Sequence, residues 1–195
     1  MRGALFFLTD PHNEEARLLR ENFVFKVIPM LNPDGVISGN YRCGLAGCDL
    51  NRRYKNPSKI LHPIIYQLKK LVKSVHQERE LTMFLDMHGH SRKSNVFMYG
   101  CDRRDNPKVC RLFPYILSKL SPYFSFENSR FGVQKDKIST ARVSFFKELQ
   151  TANNIFTLES TFAGMDYGLD KGNHLSTKML ESVGRDVCRS LLIYT

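Results

Sequence analysis

The sequence predicts an α/β fold in which a mixed, largely parallel β-sheet lies between helices. Two observations support this prediction. Short runs rich in β-branched and aromatic residues alternate along the chain with longer segments whose apolar residues recur at helical spacing. The chain has 195 residues, of which 42% are hydrophobic and 25% charged, as in ordinary folded domains. We therefore expect residues 1–195 to form a single domain with a substantial core.

The first predicted elements are a helix and a strand. Asp10 is a good helix cap and Pro11 suits the first turn, so a helix is expected to begin there. Residues 23–28 are rich in strand-forming side chains and are followed by a proline, which predicts a β-strand. Residues 32–56 contain several Gly and Pro residues and are expected to form a long loop, a feature that is often functional.

The remaining elements alternate between helix and strand. Apolar residues at helical spacing predict a long amphipathic helix over residues 60–75. The other elements are, in chain order, strands at 81–87 and 95–99, helices at 109–120 and 138–149, a strand at 155–159 and a helix at 176–194. In sheets of this kind, functional residues gather at the carboxyl ends of strands. Polar residues directly after the strands are therefore the candidates for a site.

Charge and cysteine content restrict the function classes. Lys and Arg number 29 against 19 Asp and Glu, a net charge of +10, which favours an acidic partner but is also compatible with a solvated basic surface. The five cysteines are an odd number, which favours reduced thiols in the cytosol over a disulfide framework. No apolar run approaches the ~20 residues of a membrane span, and the first residues do not resemble a signal peptide. Nucleic-acid binding would rest on charge alone and is not expected.

The first candidate cluster follows the strand at 81–87. Asp86, His88 and His90 alternate along an extended segment and so point the same way. A His-x-His pair can chelate a metal, and Asp86 can orient an imidazole from behind. The alternative is a strand end with hydrogen-bonded polar side chains. Spacing alone does not choose between the two histidines.

The second cluster lies in the long loop, where Arg42, Asn51, Arg52 and Arg53 occur among glycines. A guanidinium and an amide together suit a carboxylate, which accepts two parallel hydrogen bonds. The alternative is a set of solvated surface charges. The Asn-Pro-Asp-Gly sequence at 32–35 is by itself typical of a tight turn.

The third cluster is Glu159-Ser160-Thr161-Phe162, at the end of the strand that begins at residue 155. A carboxylate that ends an apolar strand is partly desolvated, which raises its pKa toward that of a general base. The alternative is a carboxylate that caps a turn. The three clusters together contain the residue types that metal-assisted hydrolysis at a peptide chain end requires.

Several longer motifs resemble those of the cytosolic carboxypeptidases, a subfamily of the carboxypeptidase A-like zinc peptidases. The motifs are IPMLNPDGVI at 28–37, GNYRC at 39–43, LAGCDLNR at 45–52, DMHGHS at 86–91, NVFMYG at 95–100, FTLESTF at 156–162 and KGNHLST at 171–177. The resemblance covers nearly the whole chain. It implies a mixed sheet of about eight strands between helices, and Zn²⁺ as the cofactor.

The resemblance also implies a role for each matched residue. His88 corresponds to the third zinc ligand, and Glu159 to the general base that activates the attacking water and returns a proton to the leaving amine. Arg42 corresponds to the arginine that stabilises the oxyanion. Asn51 and Arg52 correspond to the pair that holds the terminal carboxylate of the substrate. We expect these five residues to converge around one hollow.

The other two zinc ligands of the family form a His-x-x-Glu pair upstream of the matched motifs. His12 and Glu15 have this spacing, but they are expected on the first turn of a surface helix, where Glu15 complements the helix dipole. With one evident ligand, the chain is expected to hold little zinc and turn over little substrate. We therefore interpret it as the C-terminal part of a catalytic domain that is incomplete at its N-terminal side.

The resemblance implies release of C-terminal glutamates from acidic protein tails such as polyglutamylated tubulin. The expected location is the cytoplasm, with the cytoskeleton or the cilium as finer possibilities. Lys135, Lys137 and Arg142 are candidates to meet acidic side chains of the substrate, although a solvated helix face is equally compatible with them. The alternative function is an inactive relative or fragment that binds acidic C-terminal tails.

Overall fold

The computed structural model describes residues 1–103 and 105–195. They group into two compact units, each made of separate stretches of chain. Unit 1 comprises residues 1–27, 85–131 and 156–195, and unit 2 comprises residues 28–84 and 132–155. The prediction of a single domain stays a prediction.

The α/β class is confirmed. The helices, in chain order, are α1 (Arg2–Thr9), α2 (Glu14–Asn22), α3 (Pro33–Ser38), α4 (Pro63–Glu78), α5 (Val109–Leu120), α6 (Ala141–Glu148) and α7 (Thr177–Tyr194). The strands are β1 (Phe84–His90), β2 (Val96–Tyr99) and β3 (Ile155–Thr161), and two short 3₁₀ turns are η1 (Leu50–Arg52) and η2 (Lys135–Lys137).

The strands form a mixed sheet in the order β1-β3-β2. β2 and β3 are antiparallel, with Phe97 opposite Glu159. The start of β1 bonds to the residue before β3, since the N–H of Phe84 donates to the carbonyl of Asn154 at 2.9 Å. The end of β1 bonds to the residue after β3, since the N–H of Phe162 donates to the carbonyl of His90 at 2.9 Å. β1 and β3 therefore run parallel.

The helices of unit 1 pack closely on one another and on the sheet. A side chain at Gly3 of α1 would lie 1.9 Å from the carbonyl oxygen of Glu181 in α7, so the two helices approach at backbone distance. Phe113 of α5 stacks on Phe156 of β3, with ring centroids 5.8 Å apart. Neighbouring strand residues point to opposite faces, so α5 covers the face of β3 opposite to Glu159.

Unit 2 has its own apolar core. Phe145 of α6 lies at its centre, in contact with the rings of Tyr54, just after η1, and of Phe84. The other buried members come from α4, α6 and the adjoining segments: Leu50, Ile65, Leu68, Val72, Ala141, Leu149, Ala152 and Ile155. This core fixes η1 against α4 and α6.

A buried polar network also holds the chain after η1. The ammonium of Lys69 in α4 donates to the carbonyl of Tyr54 and to a carboxylate oxygen of Glu148, both at 2.5 Å. The hydroxyl of Ser144 donates to the same carbonyl at 3.1 Å, and Lys73 pairs with the second carboxylate oxygen of Glu148 at 2.9 Å. A buried ammonium is tolerated only with such partners, so the network fixes Tyr54 firmly.

We expect Glu148→Gln to destabilise the protein by about 1.5–3 kcal/mol at pH 7, the value of a hydrogen bond between charged groups, because it leaves Lys69 buried without its nearest carboxylate. Burial alone raises the pKa of Glu148, but hydrogen bonds from Lys69, Lys73 and Ser144 outweigh it and lower this pKa below its ordinary value of 4.5. The unfolded chain then binds more protons near that pH, so the stabilisation is present above about pH 4.5 and is lost as the pH falls further.

Urea unfolding between pH 3 and 7 measures this effect. The difference in the free energy of unfolding between wild type and Glu148→Gln should shrink on acidification. Glu78→Gln, at an exposed position of the same unit, should change this free energy little at any pH. A difference that stays constant from pH 7 to pH 3 would contradict the assignment.

The long helices and the strands agree with the sequence predictions within a few residues, and α5 agrees at both ends. Three predictions at the N-terminal side were wrong. Asp10 is not the N-cap of a helix but the C-cap of α1, which occupies the apolar run before it. Asn13 is the N-cap of α2 and accepts a bond from the N–H of Ala16 at 3.0 Å. The predicted loop at 32–56 contains α3, whose N-cap is Asn32, and η1.

The third error concerns residues 23–28, which are not a strand. Val24, Val27 and Ile28 are exposed, and no strand of the described residues pairs with this segment. Strand preference reflects packing on a sheet more than the backbone itself, so without a partner the segment stays irregular. Within the same described ranges, no helix is both long and apolar enough to cross a membrane.

Candidate active site

In unit 1, β1 presents His88 between two carboxylates. The imidazole Nε2 lies 2.8 Å from Oδ2 of Asp86, two residues earlier on the strand. The other nitrogen, Nδ1, lies 3.8 Å from Oε1 of Glu159 on the neighbouring strand. A metal-binding histidine commonly donates its second ring N–H to a carboxylate, which fixes the ring and leaves the first nitrogen as the ligand atom. In this arrangement Nδ1 of His88, on the side of Glu159, is the nitrogen suited to bind a metal.

β3 positions Glu159 at the centre of the sheet. It lies between β1 and β2, opposite Phe97, and is 8% exposed. The expected desolvation of this carboxylate is thus observed. A carboxylate in a largely apolar strand next to an imidazole can take up and return a proton, which is the chemistry of a general base.

His90 has a different environment from His88. Its Nδ1 accepts hydrogen bonds from the backbone N–H groups of Arg92 and Lys93, both at 3.1 Å. Its ring packs edge-on against Phe97, with centroids 5.1 Å apart. Burial, followed by the charges of Lys93 and Arg92, lowers the pKa of His90. His90 therefore organises the turn after β1, while His88 faces the carboxylates.

In unit 2, the loop before η1 brings Arg42 to Asp49. The Nε of Arg42 lies 2.7 Å from Oδ2 of Asp49, and residues 43 and 49 form an isolated antiparallel bridge. The side-chain amide of Asn32 donates to the carbonyl of Cys43 at 3.2 Å, close beside Gly35. A side chain at Gly35 would lie 2.2 Å from that amide nitrogen, so only glycine permits this approach.

Asp49 also organises the two residues after it. Its Oδ1 accepts a bond from the N–H of Asn51 at 2.9 Å, and its Oδ2 lies 3.8 Å from Nη1 of Arg52. One carboxylate therefore contacts three of the predicted site residues. Asp49 was not assigned a role from the sequence, although it directly precedes the Leu-Asn-Arg motif. The signal in the sequence was an acidic residue among several arginines, which an ion pair would explain.

The side chain of Asn51 has a defined orientation. Its Oδ1 accepts a bond from the N–H of Ala141, the first residue of α6, at 2.9 Å. Because the oxygen is used in this way, the amide NH₂ group is the part of Asn51 that can donate to a ligand. Arg52 is about one-third exposed and its Nη1 donates to the carbonyl of Asn51 at 3.0 Å. A guanidinium and an amide donor thus occur side by side on η1.

The three basic candidates of the α6 region have unequal environments. Lys135 and Lys137 lie on η2, where Lys137 pairs with Asp136 at 2.5 Å. Arg142 lies on α6 and is 5% exposed, so it is not part of a solvated helix face. Its role in binding acidic side chains stays a prediction.

The structure places the predicted residues in two groups. His88 and Glu159 meet in unit 1, whereas Arg42, Asn51 and Arg52 belong to unit 2, together with Arg142. The convergence of all five residues of the resemblance around one hollow stays a prediction.

The metal donors of the described residues do not make a complete zinc site. His88 fits one ligand position, but no group of three His, Cys, Asp or Glu side chains in ranges 1–103 and 105–195 can hold a metal ion. Glu15 is engaged elsewhere, because Arg189 of α7 donates to both its oxygens at 2.8 and 3.1 Å. His12 lies just before α2 and Glu15 on its first turn, and the rejection of this pair as zinc ligands stays a prediction.

Comparison with known proteins agrees with the motifs. Residues 4–121 match the zinc carboxypeptidase family model. The chain is 46% identical to bovine (Bos taurus) cytosolic carboxypeptidase 3 and 47% identical to cytosolic carboxypeptidase 2 of Xenopus tropicalis. Both matches cover 100% of this chain and 20% of the relative, so the chain spans about one-fifth of the length of these proteins.

The fold has a counterpart among solved structures. A metallo-carboxypeptidase from Burkholderia cenocepacia superimposes with a TM-score of 0.83 at 22% identity, covering 98% of this chain and 51% of that one. At this identity the likeness establishes the fold. The family match, which extends over more than half of the residues, establishes the relationship. The chain belongs to the zinc carboxypeptidase family.

Proposed function

We propose that the protein is a zinc-dependent carboxypeptidase that releases C-terminal residues, chiefly glutamates, from acidic protein tails such as polyglutamylated tubulin. The observation that carries the proposal is the position of His88, whose two nitrogens face Asp86 and Glu159. Zinc, when bound by the whole protein, supplies Lewis acidity to the reaction. The tasks below belong to residues of this chain.

Glu159 is the proton carrier of the proposed reaction. It takes a proton from the attacking water and returns it to the nitrogen of the departing residue. Its position supports this role, because Glu159 is buried in β3 and its Oε1 lies 3.8 Å from Nδ1 of His88. Asp86 holds the ring of His88 in one orientation.

Arg42, Asn51 and Arg52 bind the charges of the substrate and of the intermediate. The amide NH₂ of Asn51 and the guanidinium of Arg52 suit the terminal carboxylate, which accepts two hydrogen bonds at once. This preference explains why the enzyme would act only at chain ends. The guanidinium of Arg42 suits the oxyanion that forms at the attacked carbonyl.

The acidic substrate is supported by charge. The net charge of +10 attracts polyanionic tails and raises their encounter rate at low salt. The relatives named above are cytosolic carboxypeptidases. We therefore propose a cytoplasmic location, and the cytoskeleton or the cilium as the place where such tails occur.

Glutamate release from an N-acetylated pentaglutamate peptide tests the proposal. The full-length protein supplied with Zn²⁺ should release glutamate, and a chelator should stop it. The same peptide with a C-terminal amide is the matched control, because it lacks the carboxylate that Asn51 and Arg52 would bind. Equal cleavage of both peptides, or no release with zinc present, would reject the proposed activity.

A second candidate is a metal-free binder of acidic tails. It is favoured by the donor set, because the described residues offer no three-ligand group for a metal. Metal analysis of the purified 195-residue chain and a titration with the pentaglutamate peptide separate the two candidates. We expect less than one zinc per chain. Peptide binding that does not depend on added zinc would support the binder.

Asp49→Asn should lower the kcat of the proposed reaction more than it raises the KM. The substitution keeps an oxygen to accept the bond from Asn51 but removes the charge that pairs with Arg42 at 2.7 Å. Arg52 is farther from Asp49, at 3.8 Å, so carboxylate binding should suffer less. We expect kcat to fall about tenfold, the effect of losing one well-placed charge contact.

Steady-state kinetics on the pentaglutamate peptide measure this split. Asp34→Asn, on α3 of the same unit, is the control for removal of one negative charge. A larger change in KM than in kcat would show that Asp49 acts on Arg52 instead of Arg42.

A further inference from the structure

We propose that Lys93, together with the rings of Phe97 and Tyr99, forms a subsite that binds an acidic side chain of the substrate beside Glu159. This inference rests on the proposed function and assigns it one more specificity residue. Lys93 lies in the turn between β1 and β2, all within unit 1. The sequence motifs did not single it out.

The ammonium of Lys93 lies above two aromatic rings. Its Nζ is 4.8 Å from the ring centroid of Phe97 and 5.6 Å from that of Tyr99. Rings in this position attract a cation through their negative faces and confine it. The two rings therefore hold the ammonium in a defined place.

The two rings share a face of the sheet with Glu159. In the antiparallel pair, Phe97 is opposite Glu159 and Tyr99 is opposite Thr157. Side chains of directly opposed residues lie on the same face. Lys93 therefore stands over the face that carries the proposed general base, and a substrate held at Glu159 would meet this ammonium.

The ammonium has capacity for a further ligand. Among residues 1–103 and 105–195, its hydrogen-bond acceptor is the carbonyl of Asn128, at 3.2 Å. An ammonium has three N–H donors, so two remain for a substrate. Burial, and then the nearby charge of Arg130, lowers the pKa of Lys93, while Glu159 opposes this change.

A carboxylate is the ligand that these conditions favour. The groups that act on the ammonium are the cation Arg130, the carboxylate Glu159 and two aromatic rings. An incoming carboxylate would relieve the repulsion from Arg130 and restore the hydrogen bonds that burial removed. A basic side chain would meet two cations in the same place, so the subsite would exclude it.

Affinities of short peptides test the subsite without requiring turnover. Calorimetry with acetyl-Glu-Glu, acetyl-Gln-Glu and acetyl-Glu-Gln compares the two last positions on wild type and variants. At one of the two positions, the peptide with Gln should bind the wild-type protein about fivefold more weakly than the peptide with Glu. This is the scale of a half-exposed charge pair. In Lys93→Met, which keeps a long apolar side chain over the rings, that difference should fall below about twofold.

Two control variants separate charge recognition from structure. Lys93→Arg should keep the preference, and Arg92→Met, which removes an exposed charge in the same turn, should leave it unchanged. A merely structural role for Lys93 would weaken all three peptides equally. An unchanged preference in Lys93→Met, or no peptide binding to wild type, would overturn the inference.

The outcomes also separate this inference from the proposed function. If the Lys93-dependent preference appears in binding but the full-length protein releases no glutamate, the subsite stands and the activity fails. If glutamate is released and Lys93→Met keeps the wild-type preference, the activity stands and the subsite fails.

Discussion

Glu159→Gln is expected to reduce glutamate release by about 10²- to 10⁴-fold, the contribution of a positioned general base. The amide has the size of the carboxylate but neither accepts a proton from water nor delivers one to the leaving amine. The loss should appear mainly in kcat, because Glu159 acts on the reacting atoms. Release of glutamate from the pentaglutamate peptide by the full-length protein measures it.

The fold should survive this substitution. Glu159 occupies the middle of β3 through its backbone, and the amide keeps the side-chain volume opposite Phe97. Thermal unfolding checks this point, and Glu127→Gln, an exposed carboxylate of the same unit, is the matched activity control. Undiminished release by a folded Glu159→Gln variant would remove Glu159 from the mechanism.

Arg52→Ala is expected to weaken binding of C-terminal carboxylates by about 10- to 100-fold, the value of a charge-assisted pair of hydrogen bonds. The effect should appear in KM, because the terminal carboxylate is held equally before and during the reaction. Arg53→Ala provides an unusually close control. It removes the same charge from the next residue, whose side chain is exposed at the end of η1.

The C-terminally amidated peptide sharpens this comparison. Its weak binding should not change in Arg52→Ala, since it has no carboxylate for the guanidinium to hold. If Arg52→Ala and Arg53→Ala weakened the acidic peptide equally, the basic loop would act only through its overall charge.

Elements whose own pattern matches their packing could be predicted from the sequence. α5 and α7 have apolar residues at helical spacing, and Ser176 caps α7 as its residue type suggests. β2 and β3 are apolar and lie in the sheet. α1 could not be predicted in this way, because its N-cap makes no side-chain hydrogen bond and its buried residues depend on α7. The strand predicted at 23–28 does not form, because strand-forming residues need a partner strand and this segment has none among the described residues.

For the candidate site, the sequence indicated which side chains share a strand face but not how the site residues are connected. Alternation along β1 indicated that Asp86 and His88 share a face, and the observed contact of 2.8 Å agrees. The distinction between His88 and His90 depends on the turn after β1, whose N–H groups occupy His90. The part that Asp49 plays depends on the bridge between residues 43 and 49, which brings distant residues together. Neither the turn after β1 nor this bridge can be predicted from the local spacing of residues.

The packing of α1 and α2 against α7 has a consequence for biosynthesis. Glu15 and Arg189, which join α2 to α7, are 174 positions apart in the chain. During translation the early helices emerge long before the helix that covers them, so their apolar faces remain open until α7 has left the ribosome. Contacts this distant in sequence also slow folding. The nascent protein therefore completes unit 1 late, and the apolar faces of α1 and α2 are open to aggregation in the interval.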